Sequence, residues 1–93
     1  MNEFVLVEFL FSVEENEQGL NHIKNLGDDF VQIKTELDWH NEDARGYVKT
    51  YNVISGRISS QAATALKLSD KFLSDRMRIS YIPEELKNKY RNR

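Results

Sequence analysis

The first hydrophobic segment of the chain predicts a strand that is apolar on both faces. Residues 4–13 are rich in β-branched and aromatic side chains, which favour strands. With strand alternation, one face carries Val5, Val7, Phe9, Phe11 and Val13, and the other carries mostly Phe4, Leu6 and Leu10. Apolar residues on both faces indicate a strand that is covered on both sides.

A short helix and a second strand are predicted next. Leu20 and Ile23 lie three residues apart after a polar, acidic start, and Gly27 stands where a helix commonly ends. Residues 29–37 then alternate between apolar and polar positions, which is typical of a half-buried strand. Residues 1–38 therefore predict a small β-α-β piece, and a unit of this size is marginally stable by itself in water.

This marginal unit needs more contacts, because an exposed apolar strand invites pairing with another chain. We expect a homodimer or a partner-protein contact through the residues Val5, Val7, Phe9 and Phe11, with Trp39 as a candidate aromatic anchor. Burial of Trp39 at a strand–helix junction is the alternative for that residue. A third strand, or coverage of this face by C-terminal helices within one chain, is the alternative to the dimer.

Residues 41–54 fit two patterns. Their composition suits a strand, but Ala44, Tyr47, Val48 and Tyr51 also fall at the i, i+3, i+4 and i+7 positions of an apolar helical stripe. Asn41 is a suitable N-cap for such a helix, whereas Gly46 opposes it. We favour the helix and keep the strand as the alternative.

Two short helices are predicted from Ser59 onward. Ser59, Ser60 and Gln61 begin the first helix, and Ser69 caps the second. The apolar stripes are formed by Ala62, Ala63 and Leu66 in the first helix and by Phe72, Leu73 and Met77 in the second. A small residue such as Ala63 lets two helices cross closely, so the pattern predicts a helix-turn-helix.

A longer pattern surrounds these helices. It includes Ala63, Leu66, Leu68-Ser69, Leu73-Ser74, Arg76-Met77-Arg78-Ile79 and Ile82-Pro83-Glu84-Glu85-Leu86, with Glu42-Asp43-Ala44-Arg45-Gly46-Tyr47 upstream. Residues 41–90 thereby resemble the DNA-binding region of ParB-type partition proteins. Residues 1–38 lack the arginine-rich nucleotide-binding signature of that family, so a CTP-dependent clamp is not implied. The resemblance implies that the second helix enters the major groove of double-stranded DNA. The implied DNA-binding residues are Ser59, Ser60, Gln61, Ser69, Lys71, Ser74 and Arg78.

The charge of the chain is divided between its halves. Residues 1–43 hold eleven acidic and two basic residues, whereas residues 44–93 hold eleven basic and four acidic ones. This division favours a basic half that faces nucleic acid and an acidic half that faces a partner protein. Neutralisation of one half by the other is the alternative. The last residues from Lys87 to Arg93 add a basic end suited to a phosphate backbone.

Several function classes find no support in the sequence. The chain has no cysteine, which excludes a disulfide scaffold and thiol chemistry and fits the cytoplasm. The apolar run of residues 4–13 is too short to span a bilayer, and Asn2 and Glu3 stand where a signal peptide would need positive charge, so we do not expect this run to be one. No phosphate-binding glycine loop, nucleophile elbow or zinc-protease helix occurs. We therefore expect no enzymatic activity, cofactor, metal or small-molecule substrate, and the acids of residues 38–43 fit helix capping better than metal binding.

These patterns together predict an α+β protein. A β-α-β piece (residues 1–38) is expected to precede a helical helix-turn-helix bundle (residues 39–93). The leading functional hypothesis is a non-enzymatic regulator of partition, copy-control or phage type that binds double-stranded DNA as a dimer in the cytoplasm. The alternative hypothesis is a small phage-type inhibitor that binds a host protein through its acidic half.

Overall fold

The computed structural model describes residues 3–80, which form one antiparallel four-stranded sheet with three α-helices on one of its faces. The elements are β1 (Phe4–Ser12), α1 (Asn16–Lys24), a 3-10 turn (Gly27–Asp29), β2 (Phe30–Glu42), β3 (Val48–Ser59), α2 (Ser60–Ser69), α3 (Lys71–Arg76) and β4 (Met77–Ser80). The strands lie side by side in the order β2-β3-β1-β4. The predicted helix at residues 82–86 and the basic end lie outside the described residues.

The prediction of a helical bundle after residue 38 is wrong, because the longest element there is a strand. β3 alternates strictly: Asn52, Ile54, Gly56 and Ile58 are buried on the helix side, and Tyr51, Val53, Ser55 and Arg57 point to the other face. The apolar residues at 44–51 have helical spacing by coincidence and do not form a helix. Gly46 has φ +87°, a left-handed conformation that ends any helix and that glycine adopts without steric cost.

The acidic residues before β3 stabilise a turn instead of a helix start. The Asp43 carboxylate accepts hydrogen bonds from the backbone N–H groups of Arg45 (2.8 Å) and Tyr47 (3.1 Å). These donors, that of Arg45 first, hold the pKa of Asp43 below its ordinary value. A short polar side chain that satisfies backbone donors two and four residues ahead favours a tight connection, so β2 and β3 form a hairpin.

The first three elements occur where the sequence predicts them, but they do not form a separate β-α-β unit. β3 lies between β1 and β2, so the first two strands never pair with each other. The boundary at residue 38 falls inside β2, and the sheet takes strands from both sides of it. The strands that complete the marginal N-terminal segment therefore come from the same chain.

The hydrophobic core lies between the sheet and the three helices. Its buried members are Val7, Phe9, Phe11, Ile23, Phe30, Ile54, Ile58, Ala63, Leu66 and Leu73. Phe9 packs edge-on against Phe30 at a centroid distance of 5.6 Å, and its ring is parallel to that of Phe11 at 6.3 Å. The inner face of β1 is thus covered by helices of its own chain, which is one of the alternatives that the sequence left open.

The two predicted helices after Ser59 are present, but the second is much shorter than expected. Ser59 caps α2 by accepting a hydrogen bond from the N–H of Ala62 at 3.1 Å. Asp70, not Ser69, caps α3 by accepting from the N–H of Leu73 at 3.0 Å. The chain leaves the helix after Arg76 and enters β4, so Met77 and Arg78 are strand residues.

An ion pair fixes α3 to the turn between β1 and α1. Arg76 Nη2 donates to Glu15 Oε2 at 2.9 Å, and the other carboxylate oxygen of Glu15 accepts from the N–H of Ser12 at 2.8 Å. Both side chains are about three-quarters shielded from solvent, being 28% and 24% exposed for Arg76 and Glu15. The Arg76 guanidinium, as the main cause, keeps the pKa of Glu15 below its ordinary value.

We predict that Glu15→Gln lowers the free energy of unfolding by about 1 kcal/mol at neutral pH. Because the folded protein holds the pKa of Glu15 below its unfolded value, this stabilisation is present above the unfolded pKa and is lost as the pH falls through the folded one. Urea unfolding should therefore show a larger difference at pH 7 than at pH 3. Asp75→Asn, in the exposed pair with Lys71, is the control and should change little at either pH. An equal loss at both pH values would show that the charge of Glu15 is not what stabilises the turn.

Candidate nucleic-acid interface

The face of the sheet opposite the helices, called the open face below, is covered by no helix of residues 3–80. The strand register places on it Phe4, Leu6, Glu8 and Leu10 of β1, Val31, Lys34, Glu36 and Trp39 of β2, Lys49, Tyr51, Val53, Ser55 and Arg57 of β3, and Arg78 of β4. Val53 at its centre is 2% exposed even though it is not part of the helix-side core. The open face is therefore a well-packed surface layer of side chains.

Two groups of aromatic rings and arginines lie on this face, one near each end of β3. Arg57 Cζ lies 4.9 Å from the ring centroid of Phe4, and Arg78 Cζ lies 5.8 Å from that of Trp39. The Trp39 ring in turn lies 6.3 Å from the ring of Tyr51. Cation–π contacts of this kind orient a guanidinium flat against a ring while its N–H donors stay available at the edge.

Two β-bulges in β2 shape the edge of the open face. The register shifts between Gln32 and Lys34 and again between Glu36 and Trp39. At the second bulge Asp38 has φ +55°, and its N–H donates to Asn52 Oδ1 at 3.1 Å. The extra residue restores the alternation so that Trp39 lies opposite Tyr51 on the open face.

The open face differs in charge from the rest of the protein. It carries four basic residues (Lys34, Lys49, Arg57, Arg78) and two acidic ones (Glu8, Glu36). The remainder of residues 3–80 holds five basic and eleven acidic residues. The open face is thus net positive, whereas the rest of the described residues taken together are net negative.

The seven residues predicted to bind DNA do not form one surface. Ser59, Ser60, Gln61 and Ser69 belong to α2 or its cap; Lys71 and Ser74 belong to α3. The Ser59 hydroxyl accepts from a backbone N–H, that of Ser69 donates to the carbonyl of Ala65 at 3.0 Å, and Lys71 pairs with Asp75 at 3.3 Å. Arg78 lies on β4 and points to the open face, where its guanidinium donates to Glu8 at 3.3 Å.

The residues predicted to form a subunit interface lie on opposite faces of the sheet. Val7, Phe9 and Phe11 are completely buried beneath the helices of their own chain, and Val5 packs at the edge of the same core. These four side chains are therefore core residues. Trp39 is half-buried on the open face, where a partner can reach it.

Sequence reasoning missed the grouping of Phe4, Trp39, Tyr51 and Arg57. The available signal was the strand composition of residues 47–58, in which aromatic and basic residues alternate with the buried positions. Choosing the helical pattern for this segment concealed that alternation. The partners on β1 and β2 could be assigned only once β3 was known to be the strand between them.

Within residues 3–80, no three His, Asp or Glu side chains come close enough together to hold a metal ion. None of the helices in this range is both long and apolar enough to cross a membrane. The chain matches no protein-family model, no curated protein and no solved structure.

Proposed function

We propose that this protein is a non-enzymatic nucleic-acid-binding protein that binds single-stranded nucleic acid on the open face of its sheet. The observation that carries the proposal is the coincidence of three features on one face: aromatic rings that are exposed or half-buried, arginines at cation–π distance from them, and a net positive charge. The absence of cysteine fits a cytoplasmic location, which is part of the proposal.

Stacking supports a single strand over a duplex as the ligand. The bases of a single strand are free to lie on aromatic side chains, whereas those of a duplex are stacked on each other. A sheet with projecting rings is one known kind of platform for unpaired bases. The spacing of Trp39 and Tyr51, 6.3 Å between centroids, allows successive bases of one strand to contact the two rings.

The positions of the charges support a nucleic acid over a protein ligand. Arg57 and Arg78 lie beside the aromatic rings, so a strand whose bases contact the rings brings its phosphates near both guanidinium groups. The acidic remainder of the surface repels phosphates and thereby confines the strand to this face. The helix side offers less to a duplex, since α3 has only six residues.

We predict that a mixed-sequence single-stranded oligonucleotide binds with at least tenfold higher affinity than its duplex. Trp39→Ala should weaken binding by about 5- to 150-fold, because one base–aromatic stack contributes roughly 1–3 kcal/mol. Arg57→Gln should lower the slope of log affinity against log salt by about 0.7, the value for one phosphate on a single strand. Fluorescence anisotropy of labelled oligonucleotides at several salt concentrations measures all three. The single tryptophan of the chain, Trp39, adds an independent signal through quenching.

Two control variants lie on the helix side. Lys71→Ala and Lys67→Ala remove exposed positive charge from α3 and α2 and should leave single-strand binding unchanged. Stronger binding to duplex than to single strand, lost with Lys71→Ala, would instead support the helix-turn-helix hypothesis. Sedimentation that shows a dimer dissociated by Trp39→Ala, without nucleic-acid binding, would assign the open face to a second copy of the chain. Either result rejects the proposal.

A further inference from the structure

A small depression lies on the open face between β1 and β2. It has a volume of about 320 Å³ and is lined by Leu6, Val7, Glu8, Ile33, Lys34, Ser55 and Gly56. It lies where the first bulge of β2 displaces the chain at Ile33 and where β3 presents the small side chain of Ser55 to the open face. Leu6 and Ile33 provide apolar walls, and the polar groups lie at the Glu8 and Lys34 positions.

The polar groups that line this depression determine which hydrogen-bonding edge of a base can bind there. Glu8 Oε1 accepts from Arg78, and the remaining lone pairs of the carboxylate have no other partner among the side chains of residues 3–80. An ionised carboxylate only accepts hydrogen bonds, so it suits an edge with two adjacent N–H donors. Of the common bases only guanine has such an edge, formed by its ring N1–H and its exocyclic amine, whereas adenine and cytosine place a ring acceptor beside their amine.

The depression is connected to the aromatic part of the open face. Arg78 contacts Glu8 at 3.3 Å and also lies 5.8 Å from the Trp39 ring centroid. A strand that stacks one base on Trp39 therefore passes Arg78 with its phosphate and reaches the Glu8 carboxylate with a neighbouring base. The apolar walls then contact the two faces of that base.

We propose that this depression is a guanine-selective base pocket, with Glu8 as the residue that determines specificity. The inference rests on the proposed function, because the guanine belongs to the single strand that occupies the open face. Ser55 and Lys34 each offer a donor for the O6 oxygen of the base. Arg78 donates to the Glu8 carboxylate at 3.3 Å and thereby helps to orient it.

The test uses the full-length protein and a nine-nucleotide thymidine strand whose central position is thymine, adenine, cytosine, guanine or hypoxanthine. The guanine strand should bind about tenfold more tightly than the all-thymidine strand. The hypoxanthine strand should lose most of that preference, because hypoxanthine lacks the exocyclic amine. Glu8→Gln should reduce the guanine-to-thymine affinity ratio at least fivefold, since an amide nitrogen replaces one acceptor with a donor. Glu42→Gln, which changes an acidic residue of β2 that does not line the depression, should leave the ratio unchanged.

Each alternative result has a distinct meaning. Equal binding of all five strands overturns the guanine pocket and leaves the proposed function standing. A guanine preference that survives Glu8→Gln, or that Glu42→Gln removes equally, also overturns the assignment to this depression. Failure of every strand to bind overturns the proposed function itself and the pocket with it.

Discussion

Phe9→Ala is expected to lower the free energy of unfolding by about 3–5 kcal/mol, which is the range for truncating a buried phenylalanine. Phe9 is 0% exposed, lies on a central strand and contacts the rings of both Phe11 and Phe30. The total free energy of unfolding of a domain of this size is only about 5–15 kcal/mol, so the variant is close to unfolding at room temperature. Urea unfolding followed by far-ultraviolet circular dichroism measures the change.

Phe4→Ala is the matched control, because it makes the same chemical change on the same strand. Phe4 is 49% exposed on the open face, so its truncation should cost less than about 1 kcal/mol. Similar losses for both variants would contradict the placement of the core on the helix side of β1. That result would instead indicate that the open face is buried against another chain.

Gly56→Val is expected to destabilise the protein by about 2–3 kcal/mol through overpacking. A Cβ atom at Gly56 would overlap the ring of Phe30 and would lie 2.6 Å from the carbonyl oxygen of Val31 on the neighbouring strand. Either the aromatic ring or the β2 backbone must therefore move. A thermal melt of the purified variant should show the loss directly.

Ser55→Val tests whether the destabilisation is specific to position 56 or follows from any valine introduced into β3. It places the same side chain one residue earlier on β3, where it points to the open face. We expect a change within about 1 kcal/mol for this control. A tolerant Gly56→Val together with a damaging Ser55→Val would show that the two faces of β3 are exchanged.

The segments that could be predicted from sequence are those in which the spacing of apolar residues fits a strand or a helix but not both. Residues 4–12 combine strand composition with alternation, and residues 30–37 alternate clearly, so β1 and the first part of β2 were identified correctly. Asn41 and Glu42, which were predicted to start a helix, are instead the last residues of β2. Residues 44–51 satisfied both a helical and a strand pattern. Burial decided between them, because Asn52, Ile54 and Ile58 are covered by helices that the local sequence does not reveal.

The candidate site could be predicted only in part for the same physical reason. Trp39 was recognised as a possible anchor and Arg78 as a possible nucleic-acid contact, yet each was assigned to a different surface. Their side chains come together because Arg78 belongs to β4 and reaches across the face toward β2. A contact between strands that are not neighbours in the sheet leaves no periodic signal in the chain.

The central place of β3 has a consequence for the protein during its synthesis. β1 emerges first from the ribosome, but both of its partners in the sheet, β3 and β4, come from residues 48–59 and 77–80. The nascent chain therefore carries an aromatic, unpaired strand until β3 has been made. Such strands are prone to association with other chains, and pairing between distant segments is slow. Yield in the cell is thus expected to depend on how quickly translation reaches β3, with chaperones protecting residues 4–12 in the interval.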